Sequence, residues 1–164
     1  MIDNIENPKI ESNISTFNEA PDKPLPLEVV NAVVFNDEGQ ALVIESDAVT
    51  KPIGKWAMVE ALITESDDPL TAVQNALLSL TGFQAQRWNY IGTYLKNSEH
   101  NEGIGHIFVA QNATKHCEPK KNPKHIAATK WVPVEELRYG LLDGRILSTR
   151  YALNVALALL TFPQ

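Results

Sequence analysis

Residues 56–83, WAMVEALITESDDPLTAVQNALLSLTGF, constrain this chain more than any other stretch, because one run dictates a strand, a loop, a short helix and its stop. Asp68 before Pro69 marks a helix start. Aspartate accepts from the free N–H groups of the first turn, and a proline at the first helical position forfeits no hydrogen bond. Gly82 marks the end, since glycine enters the left-handed conformation that closes a helix at little cost. Between them, PLTAVQNALLSL carries no charge. Leu70, Ala72, Val73, Ala76, Leu77 and Leu80 form one broad apolar stripe at helical spacing, the pattern of a helix laid against a core.

The flanking sequence reads as strands and two later helices. VVNAVVF and ALVIES flank Asn36-Asp37-Glu38-Gly39, a hairpin signal. Residues 56–63 read as extended, and 83–94 as further strand ending at the turn LKNSEHNEG. GHIFVAQ and IAATKWVP are later strands, Pro133 opens the helix PVEELRYGLL, and Asp143-Gly144-Arg145 turns into a long helix, ILSTRYALNVALALL. No repeat and no second domain is visible. Residues 28–164 form one domain, and residues 1–27, with four prolines and isolated isoleucines, form an N-terminal arm.

At 164 residues the chain is long enough for one domain with a sizeable core. A net charge of −6 argues against a general nucleic-acid or anionic-membrane binder. One cysteine excludes an internal disulfide and suits a reducing compartment. The start shows no basic-then-apolar signal, and the apolar run at 151–160 is too short to span a bilayer. The expectation is a cytoplasmic protein with neither nucleic acid nor membrane as partner.

Residues 61–83 resemble the Nudix box, G-x5-E-x7-R-E-U-x-E-E-x-G-U with U a bulky aliphatic residue. Gly82 and Phe83 fall on the closing Gly-U, and Leu77 on the inner aliphatic position. Ala61 stands on the opening glycine, Asp67 on the first glutamate and Asn75 on the arginine. The three catalytic glutamate positions hold Ala76, Ser79 and Leu80. Residues 94–110, and WVPVEEL followed by DGRI, are similar to the ADP-ribose pyrophosphatase branch, so the likeness covers about residues 29–160. It implies an α/β Nudix fold, an α/β/α sandwich with a mixed sheet. It also implies a nucleoside diphosphate ligand such as ADP-ribose, and a homodimer in which the arm makes contacts.

The loss at the helix has a direct chemical meaning. A helix turns about 100° per residue, so positions 76, 79 and 80 lie together on one side. Carboxylates there would build an oxygen-rich site for Mg²⁺; Ala76, Ser79 and Leu80 supply one hydroxyl. Losing one catalytic group commonly costs about a hundredfold in rate, so the first expectation is a pseudoenzyme that binds a nucleoside diphosphate compound with no cofactor. The alternative is a hydrolase that holds Mg²⁺ with non-standard ligands among Glu60, Asp67, Glu99 and Glu102, of which Glu60 and Asp67 are the weak metal candidates. A third reading is a protein-interaction module with its cleft filled. The substrate-binding candidates are Glu60, Tyr94, Glu99, Glu102, Lys120, Lys121 and Lys124. Tyr94 offers a ring for an adenine. The lysines stand where the branch often has an acidic residue and could pair with a diphosphate; His125 beside them is a weak candidate base. Asp68 is explained by capping, and a solvated loop explains the lysines equally well. Leu80 is expected to be buried by the arm, a partner's arm or collapsed loops.

Overall fold

VVNAVVFN, residues Val29–Asn36, forms strand β1, and every side chain of it except the last is buried. A strand sends alternate side chains to opposite faces, so such a run belongs at the middle of a sheet covered on both sides. Val30, Ala32 and Val34 enter one core cluster, and Val33 and Phe35 the other.

The computed structural model describes residues 27–47, 54–64, 67–96, 103–120 and 126–162. After β1 come β2 (Ala41–Ser46), β3 (Trp56–Ala57), β4 (Val59–Leu62) and α1 (Pro69–Thr81). The chain continues through β5 (Phe83–Leu95), β6 (Ile104–Lys115), β7 (Ile126–Val132), α2 (Val134–Leu142) and α3 (Thr149–Thr161). The sheet runs β3-β2-β1-β6-β5, with β4 also pairing β1 and β7 also pairing β2. β1 lies parallel to β6 and antiparallel to β2 and β4, so the sheet is mixed. Ala72, Val73 and Leu77 of α1 cover the face of Val30, Ala32 and Val34. Val134 and Leu137 of α2, with Val155 and Ala158 of α3, cover the other. This is the α/β/α sandwich expected.

Two departures from the sequence reading have local causes. The extended stretch at 56–63 breaks at Met58, a buried residue of the α2/α3 core. The break lets the chain change partners, since β3 pairs with β2 and β4 with β1. The last helix begins at Thr149 instead of at Ile146. Ile146 is spent on the core, and its N–H donates to the Gly140 carbonyl at 2.9 Å. Residues 1–26 of the arm lie outside the described residues, and with them the expected dimer contacts. No helix among the described residues is long and apolar enough to cross a membrane.

One buried group stands out energetically. Asn154 on α3 is fully buried, and neither its amide nitrogen nor its oxygen has a partner among the described residues. A buried polar group without partners costs about 1–3 kcal/mol. Asn154→Leu, which keeps the number and branching of its heavy atoms, should therefore raise the unfolding free energy by about 1–2 kcal/mol and the melting temperature by several degrees. Thermal unfolding followed by circular dichroism measures this, and a lowered melting temperature would show that the amide is satisfied in solution.

Candidate functional site

Helix α1 is pinned at both ends by the residues that announced it. The Asp68 carboxylate accepts from the Thr71 N–H at 3.0 Å and the Thr71 hydroxyl at 2.7 Å. These bonds, the hydroxyl's foremost, hold its pKa below the usual carboxylate value. Gly82 closes the helix at φ 75°, and a Cβ there would run into the Cys117 carbonyl. The segment after β6 is tied to this helix end. The N–H groups of His116 and Cys117 donate to the Gly82 carbonyl at 2.8 and 3.1 Å, and that of Lys120 to the Ser79 carbonyl at 3.0 Å. The Lys115 ammonium reaches the Thr81 carbonyl at 3.2 Å.

This anchorage sets the rotation of the helix. Val73, Leu77 and Thr81, four residues apart, take the fully buried line. The adjoining side, Ala72, Ala76, Ser79 and Leu80, forms with Asn75 one wall of a cleft of about 430 Å³, and Glu60, Leu62 and Asp67 line the rest. The positions that would carry the catalytic glutamates thus face this cleft. Among the described residues Leu80 is half-buried instead of buried, with one side on the core and the other on the cleft, because it lies beside the buried line of the helix; the arm expected to cover it lies outside them.

Among the described residues the α1 wall of the cleft offers a divalent cation no carboxylate, only the Ser79 hydroxyl and the Asn75 carboxamide. Asp67 is engaged in bracing its own loop, accepting from the Thr64 hydroxyl at 2.9 Å and donating its N–H to the Thr64 carbonyl at 3.0 Å. Among the described residues no three His, Cys, Asp or Glu side chains gather as a metal set would. Glu60, a metal candidate by sequence, has both oxygens taken. Arg150 binds it in a forked pair, Nε to Oε2 and Nη2 to Oε1, the latter at 3.0 Å. The Asn31 amide also donates to Oε2, at 2.7 Å, and the Tyr151 hydroxyl lies 3.5 Å from Oε1.

Tyr94 completes this cluster. Its ring lies flat where a Cβ on Gly105 would sit, and its hydroxyl donates to the Asn31 side-chain oxygen at 2.7 Å. Burial, with the Glu60 charge second, pushes the Tyr94 hydroxyl up to about 12. Burial likewise raises the Tyr151 hydroxyl. Beyond the cluster lies a second cavity of about 310 Å³ with Tyr94, Lys96, Ser148, Thr149 and Arg150 in its wall. The Glu60–Arg150 pair is therefore a partition. Its acid lines one cavity and its base the other.

Of the sequence candidates, Glu60 and Tyr94 come together through Asn31. Lys120 is exposed and does not line the cleft, although its backbone is tied to Ser79. Glu99, Glu102, Lys121, Lys124 and His125 lie outside the described residues. Asn31, Arg150 and Tyr151 escaped the sequence reading. The lone amide inside the apolar run of β1 is the signal that could have found the first.

A sequence profile of the NUDIX domain family matches residues 25–151. Among solved structures, the fold resembles that of an ADP compounds hydrolase with a TM-score of 0.66 and 18% identity, over 83% of this chain and 72% of that one. It resembles a NUDIX hydrolase from Nitrosomonas europaea with a TM-score of 0.61 and 18% identity, over 80% and 87% of the two chains. At such identity the likeness is one of fold. No curated protein matches the chain by sequence.

The Tyr94 environment has a consequence at alkaline pH. The folded protein holds the phenol proton up to a pKa of about 12, whereas an unfolded chain releases it near about 10. Above about pH 10 the unfolded state binds fewer protons, so stability falls as pH rises through this window. With the ring partly solvated, the loss is on the order of 1 kcal/mol. Denaturant unfolding at pH 9 and 11 should show that loss, and Tyr94→Phe should reduce it; an unchanged slope in the variant would place the titration elsewhere.

Proposed function

The chain belongs to the Nudix domain family, and we propose that it has given up hydrolysis and binds a nucleoside diphosphate compound of the ADP-ribose kind without a metal. The observation that carries this reading is the cleft itself. About 430 Å³ of space persists beside α1, while its helix wall is Ala72, Asn75, Ala76, Ser79 and Leu80, without a carboxylate. Cleavage of a pyrophosphate depends chiefly on metal charge and on positioning of the attacking water. A wall of methyl, isobutyl, hydroxyl and carboxamide groups carries no charge with which to do either, and groups that act as a unit cannot be removed together with much activity left.

What such a wall can do is accept a ligand. Small-molecule sites are clefts of roughly 300–1,000 Å³, mostly apolar with a few polar groups that orient the occupant. Apolar α1 atoms suit the faces of a base or ribose, and Ser79 and Asp67 provide polar contacts. Lys120 is bonded through its backbone to Ser79 of the cleft wall, with two further lysines following in sequence, and ammonium groups reaching the cleft from this loop would offset phosphate charge that a metal otherwise neutralises. The hydrolase reading is disfavoured by the engagement of Glu60 with Arg150 and of Asp67 with Thr64. The structural relative named for ADP compounds supports the ligand class. The setting we propose is cytoplasmic, with no nucleic acid partner, on the net charge of −6 and the single cysteine.

A panel of ADP-ribose, NAD, nucleotide sugars and nucleoside triphosphates, each with Mg²⁺ and with EDTA, tests the reading by thermal shift. A ligand that binds only the folded state at a hundred times its dissociation constant stabilises by about 2.7 kcal/mol. The expected outcome is a shift with a nucleoside diphosphate compound that is equal with and without metal, and no release of AMP. Metal-dependent release of AMP, abolished by Glu60→Gln or Asp67→Asn, would establish the hydrolase instead; a flat panel would favour the interaction module. Changing Lys120, Lys121 and Lys124 together to alanine should weaken binding and flatten its salt dependence, by on the order of 1 kcal/mol or less per exposed pairing. Unchanged affinity in this variant would make the loop merely a solvated one.

A further inference from the structure

The Glu60–Arg150 partition leaves a second cavity whose chemistry is unlike that of the α1 cleft. Arg150 lines it, and uses only Nε and Nη2 on Glu60; Nη1 is engaged by no described residue. Lys96 lines it and makes no ion pair with any described residue. Ser148 precedes α3 without spending its side chain on a capping bond, and the Thr149 hydroxyl stands next to it. The Tyr94 hydroxyl already donates to Asn31, so Tyr94 contributes ring surface to the wall. No carboxylate among the described residues lines this space. Two cations and the Ser148 and Thr149 hydroxyls thus stand around about 310 Å³ with no acceptor charge among the described residues.

We infer that this cavity is a phosphate-binding site, and that Arg150 exchanges Glu60 for the phosphate of the ligand when it is filled. The inference rests on the function proposed above only for the class of ligand, a diphosphate. A planar guanidinium binds phosphate through the same fork that now binds the carboxylate. Its side chain is 42% exposed, against 24% for that of Glu60, so the arginine is the partner with room to turn. Exchange has a selective consequence. Glu60 keeps the Asn31 amide but loses its counter-charge, so a neutral nucleoside cannot displace it, whereas a group with two or more negative charges can. In the free protein Glu60 is thus an internal competitor that masks the site.

The two ends of the pair must then act in opposite directions, which a merely structural ion pair would not do. Titration calorimetry of the full chain with inorganic pyrophosphate, without metal, reads this. Wild type should bind pyrophosphate and not adenosine. Glu60→Gln, which removes the competitor and leaves Arg150 free, should tighten binding by about tenfold. Arg150→Gln should weaken it by about tenfold or more. The double variant carries no uncompensated charge, keeps the fold testable, and should be as weak as Arg150→Gln alone. Effects of the same sign in the two single variants, or no pyrophosphate binding in wild type and Glu60→Gln alike, would overturn the inference even if ADP-ribose binds in the α1 cleft. The expected pattern with no response to ADP-ribose would leave this site standing and remove the function proposed above.

Discussion

β1 has water on neither face, and much of the rest follows from that constraint. Its apolar side chains are shared between two cores, which obliges α1 to cover one side and α2 with α3 the other. Asn31 is the polar exception within the buried run, fully buried. A buried amide must be given partners or it weighs against folding. It donates to Glu60 on β4 and accepts from Tyr94 on β5, and Glu60 in turn holds the first turn of α3 through Arg150. Four elements meet around one satisfied amide. The partition between the two cavities is a by-product of that satisfaction.

On α1, scaffold and chemistry sit on adjacent lines of the same helix. Val73, Leu77 and Thr81 hold it to the sheet, while Ala76, Ser79 and Leu80, about a hundred degrees away, line the cleft. Changes on the second line can therefore erase a metal site without disturbing the first. Leu80 shows the limit of this independence. It regains part of its hydrophobic stabilisation from the core edge, so the cleft remains open instead of collapsing on it.

Local chemistry made the fold legible and long-range chemistry hid the site. The Asp68 cap, the Gly82 stop, the turn after Asn36 and the helix after Pro133 all depend on residues within a few positions of one another, and the structure has each of them. The break at Met58 depends on which neighbouring strand is available, which no local pattern encodes. The partners of Glu60 lie 29 and 90 residues away, and Tyr94 lies 63 from Asn31. Glu60 looked like a free acid beside the box because nothing near it in sequence announces Arg150. Leu80 is half-buried among the described residues for a different reason. The helical stripe is broader than the line that the sheet can bury, and a sequence does not say where that line stops.

The contact between Tyr94 and Gly105 restricts the routes by which this protein can change. A side chain at 105 would occupy the place of the phenol ring, so any such change must follow the loss of Tyr94, not precede it. Loss of Tyr94 in turn strips the Asn31 oxygen of its donor in a buried place. Gly105 cannot change while Tyr94 stands, and a path that alters both passes through an intermediate with an unsatisfied amide or an overfilled sheet. The order of changes open to the cluster is thus set by the stability of its halfway states.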